Sequence, residues 1–164
     1  MGMNVNSAKS GMDRLSEAAG TALKLVERVN ARHEAITGTL LFKSSPEYAA
    51  ALARFAEPSS DMESFGAFID AVHLFFYKGS GDGTRIMAFA AVPEFLADVR
   101  ALWGVRDDIK NHRMQEAAAK LPEANRVFEK YGGKRAEDFS AEDFISMQAA
   151  ILEKTSDFLS FLIR

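Results

Sequence analysis

Leu15, Ala22, Val29 and Ile36 recur every seven residues, with Ala18 and Leu25 between them. Apolar residues at that spacing fall on one side of an α-helix. They cannot line one face of a strand, where side chains alternate with period two. The spacing predicts one long amphipathic helix over roughly 13–37. The same period returns in Met62, Phe65, Phe68, Ile69, Val72, Phe75 and Phe76. It returns again in Phe144, Ile151 and Phe158, with Ile145, Leu152 and Leu159 beside them. No stretch alternates convincingly, and Val, Ile and Thr are sparse. The expected fold is all-α, a four-helix-bundle-like domain with short additional helices.

Local signals divide the chain further. Ser45-Pro46-Glu47 predicts a helix start with Pro at the first helical position, and that short helix should stop before Pro58. Asp61 is placed to cap a third helix. The run Lys78-Gly79-Ser80-Gly81-Asp82-Gly83 should break it. A fourth helix is expected from near Pro93, with Phe95, Val99, Leu102 and Ile109 on its apolar stripe. Leu121-Pro122 is expected to interrupt a polar, Ala-rich stretch. Tyr131-Gly132-Gly133-Lys134 should end the helix before it. Ser140-Ala141-Glu142-Asp143 resembles a capping box, with Asp where Glu or Gln is usual. No internal repeat divides the chain, so residues 1–164 read as one domain. Residues 1–60 would serve as packing or dimerisation helices, and 61–164 as the bundle.

Composition removes several classes of function. The net charge of −3 argues against binding nucleic acid through the overall field, though not against a local basic site. With no Cys there is no disulfide framework, no thiol nucleophile and no thiolate zinc site. The first ten residues are polar, unlike a secretory signal, and Asn6 fails the myristoylation pattern after Gly2. The longest apolar runs, such as Met87 to Val92, are far too short to span a bilayer. A cytoplasmic protein without membrane contact is expected. Thirteen Phe against three Tyr and one Trp suggest aromatic core filling more than a stacking platform.

Two kinds of ligand chemistry can be tested against spacing. The glycine-rich run from Lys78 lacks the P-loop pattern, and no strand precedes it. Asp70 and His73 share a helix face, but di-iron bundles need two such pairs and two further carboxylates, and no second pair exists. Asp108 with His112, and His112 with Glu116, would face one another only if the helix continued past both. His33, beside Glu34, reads as an exposed polar residue. No metal and no cofactor are expected.

The densest chemistry lies in Arg106-Asp107-Asp108-Ile109-Lys110-Asn111-His112. Arg106 follows the stripe Phe95, Val99, Leu102, where a guanidinium needs acceptors for its donors. His112 lies about 120° from it around a regular helix, so one straight helix cannot aim both at one point. They converge only where the helix ends or bends near Lys110, or across a two-fold axis. Gly104, inside this helix, marks a close contact or a bend.

An Arg followed by a polar residue and, a few positions on, a His, late in a helix of an all-α bundle, resembles the HEPN superfamily. Here the motif is Arg106, Asp107, four more residues, then His112. The amphipathic stretch Pro93 to Leu102 precedes it. Ser146-Met147-Gln148-Ala149-Ala150-Ile151-Leu152 opens a closing helix of the kind such domains use, so the resemblance covers roughly 61–164. It implies a homodimer and, in many members, a metal-independent endoribonuclease of toxin–antitoxin or phage-defence systems. Others are inactive and bind nucleotides or proteins. By that resemblance His112 would be general acid or base and Arg106 would neutralise the phosphoryl oxygens. Asp107 would orient one of them, and Lys110, Asn111 and Arg113 would contact substrate. Asp107 departs from the Asn common in active members. RNA or nucleotide, an antitoxin and a second copy are the implied partners. A non-enzymatic nucleotide-binding or protein-interaction module is the alternative.

Overall fold

The computed structural model describes residues 3–80 and 92–164. Among them are six α-helices and no strand, an all-α fold. In order they are α1 (Met3–Thr37), α2 (Pro46–Arg54), α3 (Met62–His73), α4 (Glu94–Lys110), α5 (Met114–Gly132) and α6 (Ala141–Ile163). One turn of π-helix, Leu74–Lys78, continues α3, and a 3₁₀ turn, Ala136–Asp138, precedes α6. No helix among the described residues is long and apolar enough to cross a membrane.

The capping chemistry acts where local sequence places it. Ser45 Oγ accepts from Tyr48 N–H at 3.2 Å, with Pro46 opening α2. Asp61 caps α3 in a reciprocal box with Ser64. Ser140 and Asp143 form the box that starts α6. Gly133 ends α5 at φ 70°, a left-handed conformation that glycine adopts without steric cost.

One apolar core joins the long helices. α1 packs along α6, α4 along α5, and α3 against α4. Leu15, Ala22 and Val29 of the heptad row are buried together with Phe144, Ile151 and Phe158. Arg14 bridges the same two helices from outside, its Nη2 2.5 Å from Glu153 Oε1. Phenylalanines fill the centre. Phe42 stacks on Phe75 at 4.5 Å, and Phe65 meets Phe128 and Phe144 at 5.9 and 5.6 Å.

Four expectations change. α1 begins at Met3, ten residues before the predicted start. Ile36 ends the heptad row 71% exposed, so the buried stripe stops at Val29. Ile109 is 48% exposed and leaves the stripe of α4. Pro122 lies inside α5 without interrupting it. A proline removes one hydrogen bond from the ladder, and flanking contacts hold this helix together across the gap. The glycine-rich run beyond residue 80 and the apolar run Met87 to Val92 fall mostly outside the described residues.

Candidate functional site

α4 ends at Lys110 because the chain makes a Schellman turn there. His112 N–H donates to Ile109 O at 3.1 Å, and Arg113 N–H donates to Asp108 O at 2.7 Å. That pattern needs a left-handed residue at the position after the cap, and His112 supplies it at φ 58°. Glycine is usual there, and His is among the side chains that tolerate it. An apolar contact usually closes this motif. Here an ion pair does so: Arg113 Nε lies 2.9 Å from Asp108 Oδ1. Lys120 Nζ approaches Asp108 Oδ2 at 2.6 Å, and Arg113 Nη2 approaches Asp107 Oδ2 at 2.8 Å. Asp108, only 2% exposed, is the hub. Its hydrogen bonds from Lys120 and Arg113 hold its carboxyl below the usual range. Asn111 donates to Asp107 O at 2.8 Å.

His112 therefore has a backbone duty independent of any chemistry. His112→Gly is expected to raise stability by about 1 kcal/mol, since glycine removes the left-handed cost. A higher urea midpoint at unchanged slope would report it. Asp108→Asn should act in the opposite sense, lowering the thermal midpoint through the loss of both ion pairs.

Arg106 is engaged elsewhere. Its Nε donates to Asp70 Oδ1 at 3.1 Å and its Nη2 to Asp70 Oδ2 at 2.9 Å, a bidentate pair joining α4 to α3. The guanidinium lies over Gly66, where a Cβ would collide with it. The close approach thus falls at Gly66. At Gly104 a Cβ would make only ordinary contact, 3.7 Å from Lys120.

Between α3 and α4 lies a cleft of about 500 Å³. Arg106, Asp107 and Lys110 line it, and His112, Asn111 and Arg113 do not. Its other walls are Asp70, His73, Lys78 and Trp103, with Leu74 and Ile109. His73 stacks on Trp103 at 3.8 Å and 5°, and on Tyr77 at 4.6 Å. Arg100 caps the Tyr77 ring at 5.0 Å. Burial, with Arg100 and Lys78 nearby, holds the His73 pKa down to about 4, against the pull of Asp70 and Asp107. The ring is neutral at physiological pH, a stacking plate rather than an acid.

Among the described residues no three His, Asp or Glu side chains gather as a metal site. Asp70 serves Arg106, and His73 serves the ring column. Spacing along the chain could not reveal Asp70 as the partner of Arg106, 36 residues away. A glycine inside the apolar stripe of α3, one turn before Asp70, was the available sign of a close approach. The pairing of Trp103 with His73 left no comparable trace.

No family model, curated protein or solved structure matches the chain.

Proposed function

We propose that this protein is a cytoplasmic, helical nucleotide-binding module, a catalytically silent relative of the HEPN type, which takes its ligand between α3 and α4. One observation carries this reading. The cleft sets two exposed lysines, Lys78 and Lys110, beside the Asp70-held Arg106 and the flat ring of Trp103. A nucleotide offers a matching pair of groups, an anion for the cations and a π-face for the indole. The cleft volume lies within the usual range for small-ligand sites. Binding is favoured over cleavage within one protomer, because Arg106 is held by Asp70 and His112 caps a helix outside the cleft.

Calorimetric titration with AMP, GMP and ADP tests the reading. Saturable binding is expected, weakened in Trp103→Ala by about tenfold or more through loss of base stacking. If none of the three nucleotides binds, the reading fails.

A second reading draws on a different observation. Ile109 and Met114, 48% and 60% exposed, flank the turn that carries His112. If a second copy covered this apolar face, the His112 of one protomer would approach the Arg106 of the other. The pair would then act as a metal-independent endoribonuclease on RNA, with an antitoxin as partner. His112 would move the proton, Arg106 would hold the phosphoryl oxygens and Asp107 would orient one of them. Expression in growing cells decides this. The nuclease predicts arrested growth and degraded RNA, both cured by Arg106→Ala or His112→Ala. Intact RNA and equal growth in all three strains would remove it.

A further inference from the structure

We infer that the phosphate contacts of this cleft are Lys78 and Lys110, and that Arg106, locked to Asp70, is the strut that sets the width between α3 and α4. The inference deepens the nucleotide reading and rests on it. The ligand class it names is a nucleoside monophosphate, its phosphate between the two lysines and its base on Trp103.

The first ground is the state of the cations. Arg106 gives two donors to Asp70 in a planar, bidentate pair, and its charge is matched there. Arg113 is spent on Asp107 and Asp108. Lys78 and Lys110 line the same cleft, are exposed, and have no ion-pair partner among the described residues. An incoming dianion meets both lysines without displacing a partner among the described residues, whereas the guanidinium would first have to leave Asp70.

The second ground is the π turn. Gly79 N–H donates to Leu74 O at 3.0 Å, five residues back. One extra residue in a turn shifts the register that follows by about 100°. Two turns on from Asp70, an unbroken α-helix would present Tyr77. With the extra residue, Lys78 takes that position on the cleft wall and Tyr77 stays against His73. The turn is built in: a Cβ at Gly79 would strike the Phe75 carbonyl, and Lys43 N–H donates to Gly79 O at 2.7 Å. The Tyr48 hydroxyl donates to Lys78 O at 3.2 Å. π turns of this kind are frequent at functional sites.

The test compares AMP with adenosine on wild type, Lys78→Gln/Lys110→Gln and Arg106→Ala, with thermal midpoints confirming the fold. Trp103, the only tryptophan, reports occupancy by its fluorescence. Wild type should prefer AMP over adenosine by about tenfold or more, the worth of hydrogen bonds to a charged group. In the double lysine variant that preference should vanish while adenosine binds as before. In Arg106→Ala both ligands should weaken together, with the preference kept. A preference that survives the double variant and collapses in Arg106→Ala overturns the inference and leaves the nucleotide reading standing. Absence of binding by both ligands to wild type removes both. A 5′-phosphorylated trinucleotide that competes as well as AMP makes an RNA end the source of the phosphate. Failure to compete makes it the free mononucleotide, and in either case the lysine assignment stands.

Discussion

Gln148→Leu should destabilise the fold by roughly 3–5 kcal/mol, through buried polar groups left without partners. Gln148 is fully buried on α6. Its Oε1 accepts from Ser59 N–H at 2.8 Å, and its Nε2 donates to Phe55 O at 3.0 Å and Glu57 O at 2.8 Å. One side chain thus satisfies three backbone groups of the segment between α2 and α3. Leucine fills similar space and satisfies none. Against a typical stability of about 5–15 kcal/mol the loss is large. Chemical denaturation should show a lower midpoint at unchanged slope. A change below about 1 kcal/mol would mean that water replaces the amide at no cost, which a site this buried should not permit.

The second large effect is a dependence on pH. His73 is neutral in the fold, with its pKa near 4, against 6.5 in an unperturbed chain. Below pH 6.5 the unfolded state takes up a proton that the folded state refuses. Stability is therefore complete above pH 6.5 and is lost as pH falls toward 4. The loss should reach roughly 2 kcal/mol, less than the full shift would give because the ring edge borders the cleft. The depressed carboxyls of Asp61, Asp108, Asp143 and Glu94 act in a separate window. Their stabilisation fades only as pH drops below ordinary values of 3.8 to 4.5. His73→Phe keeps a stacking ring and removes the titration. Its stability should be flat from pH 6.5 to 4.5 where wild type declines. Parallel declines in the two proteins would show that His73 is not the group responsible.

Helix existence was readable because it rests on neighbours in sequence. Apolar period, Ser45, Asp61 and Ser140 act within a turn or two of themselves, and each produces the local structure its spacing predicts. The failures come from competition at longer range. Pro122 looked like a break because its missing N–H is a local fact, while the contacts that carry α5 past it are tertiary. Ile109 continued the stripe by period, yet α4 ends one residue later and its last turn leaves the core. Gln148 sits one turn from Phe144 and from Leu152, a polar residue on a buried row. That oddity was legible, but its partners lay 89 to 93 residues away. The candidate site divides in the same way. Arg106, Asp107 and Lys110 were found through their density of charge. Asp70, His73, Lys78 and Trp103 join them only through packing between two helices and one inserted residue.

Pro122 carries a consequence for motion. Without its N–H, the carbonyl of Ala118 has no partner in the ladder, and α5, though continuous, is weakest at that point. The later half is anchored by Ala124, Val127 and Phe128, whereas the earlier half buries only Ala117. Amide exchange should therefore be fast from Met114 to Leu121 and slow beyond Pro122, with the boundary at the proline. The turn bearing His112 is attached to the half that opens first. That turn should therefore open before the core beneath it does.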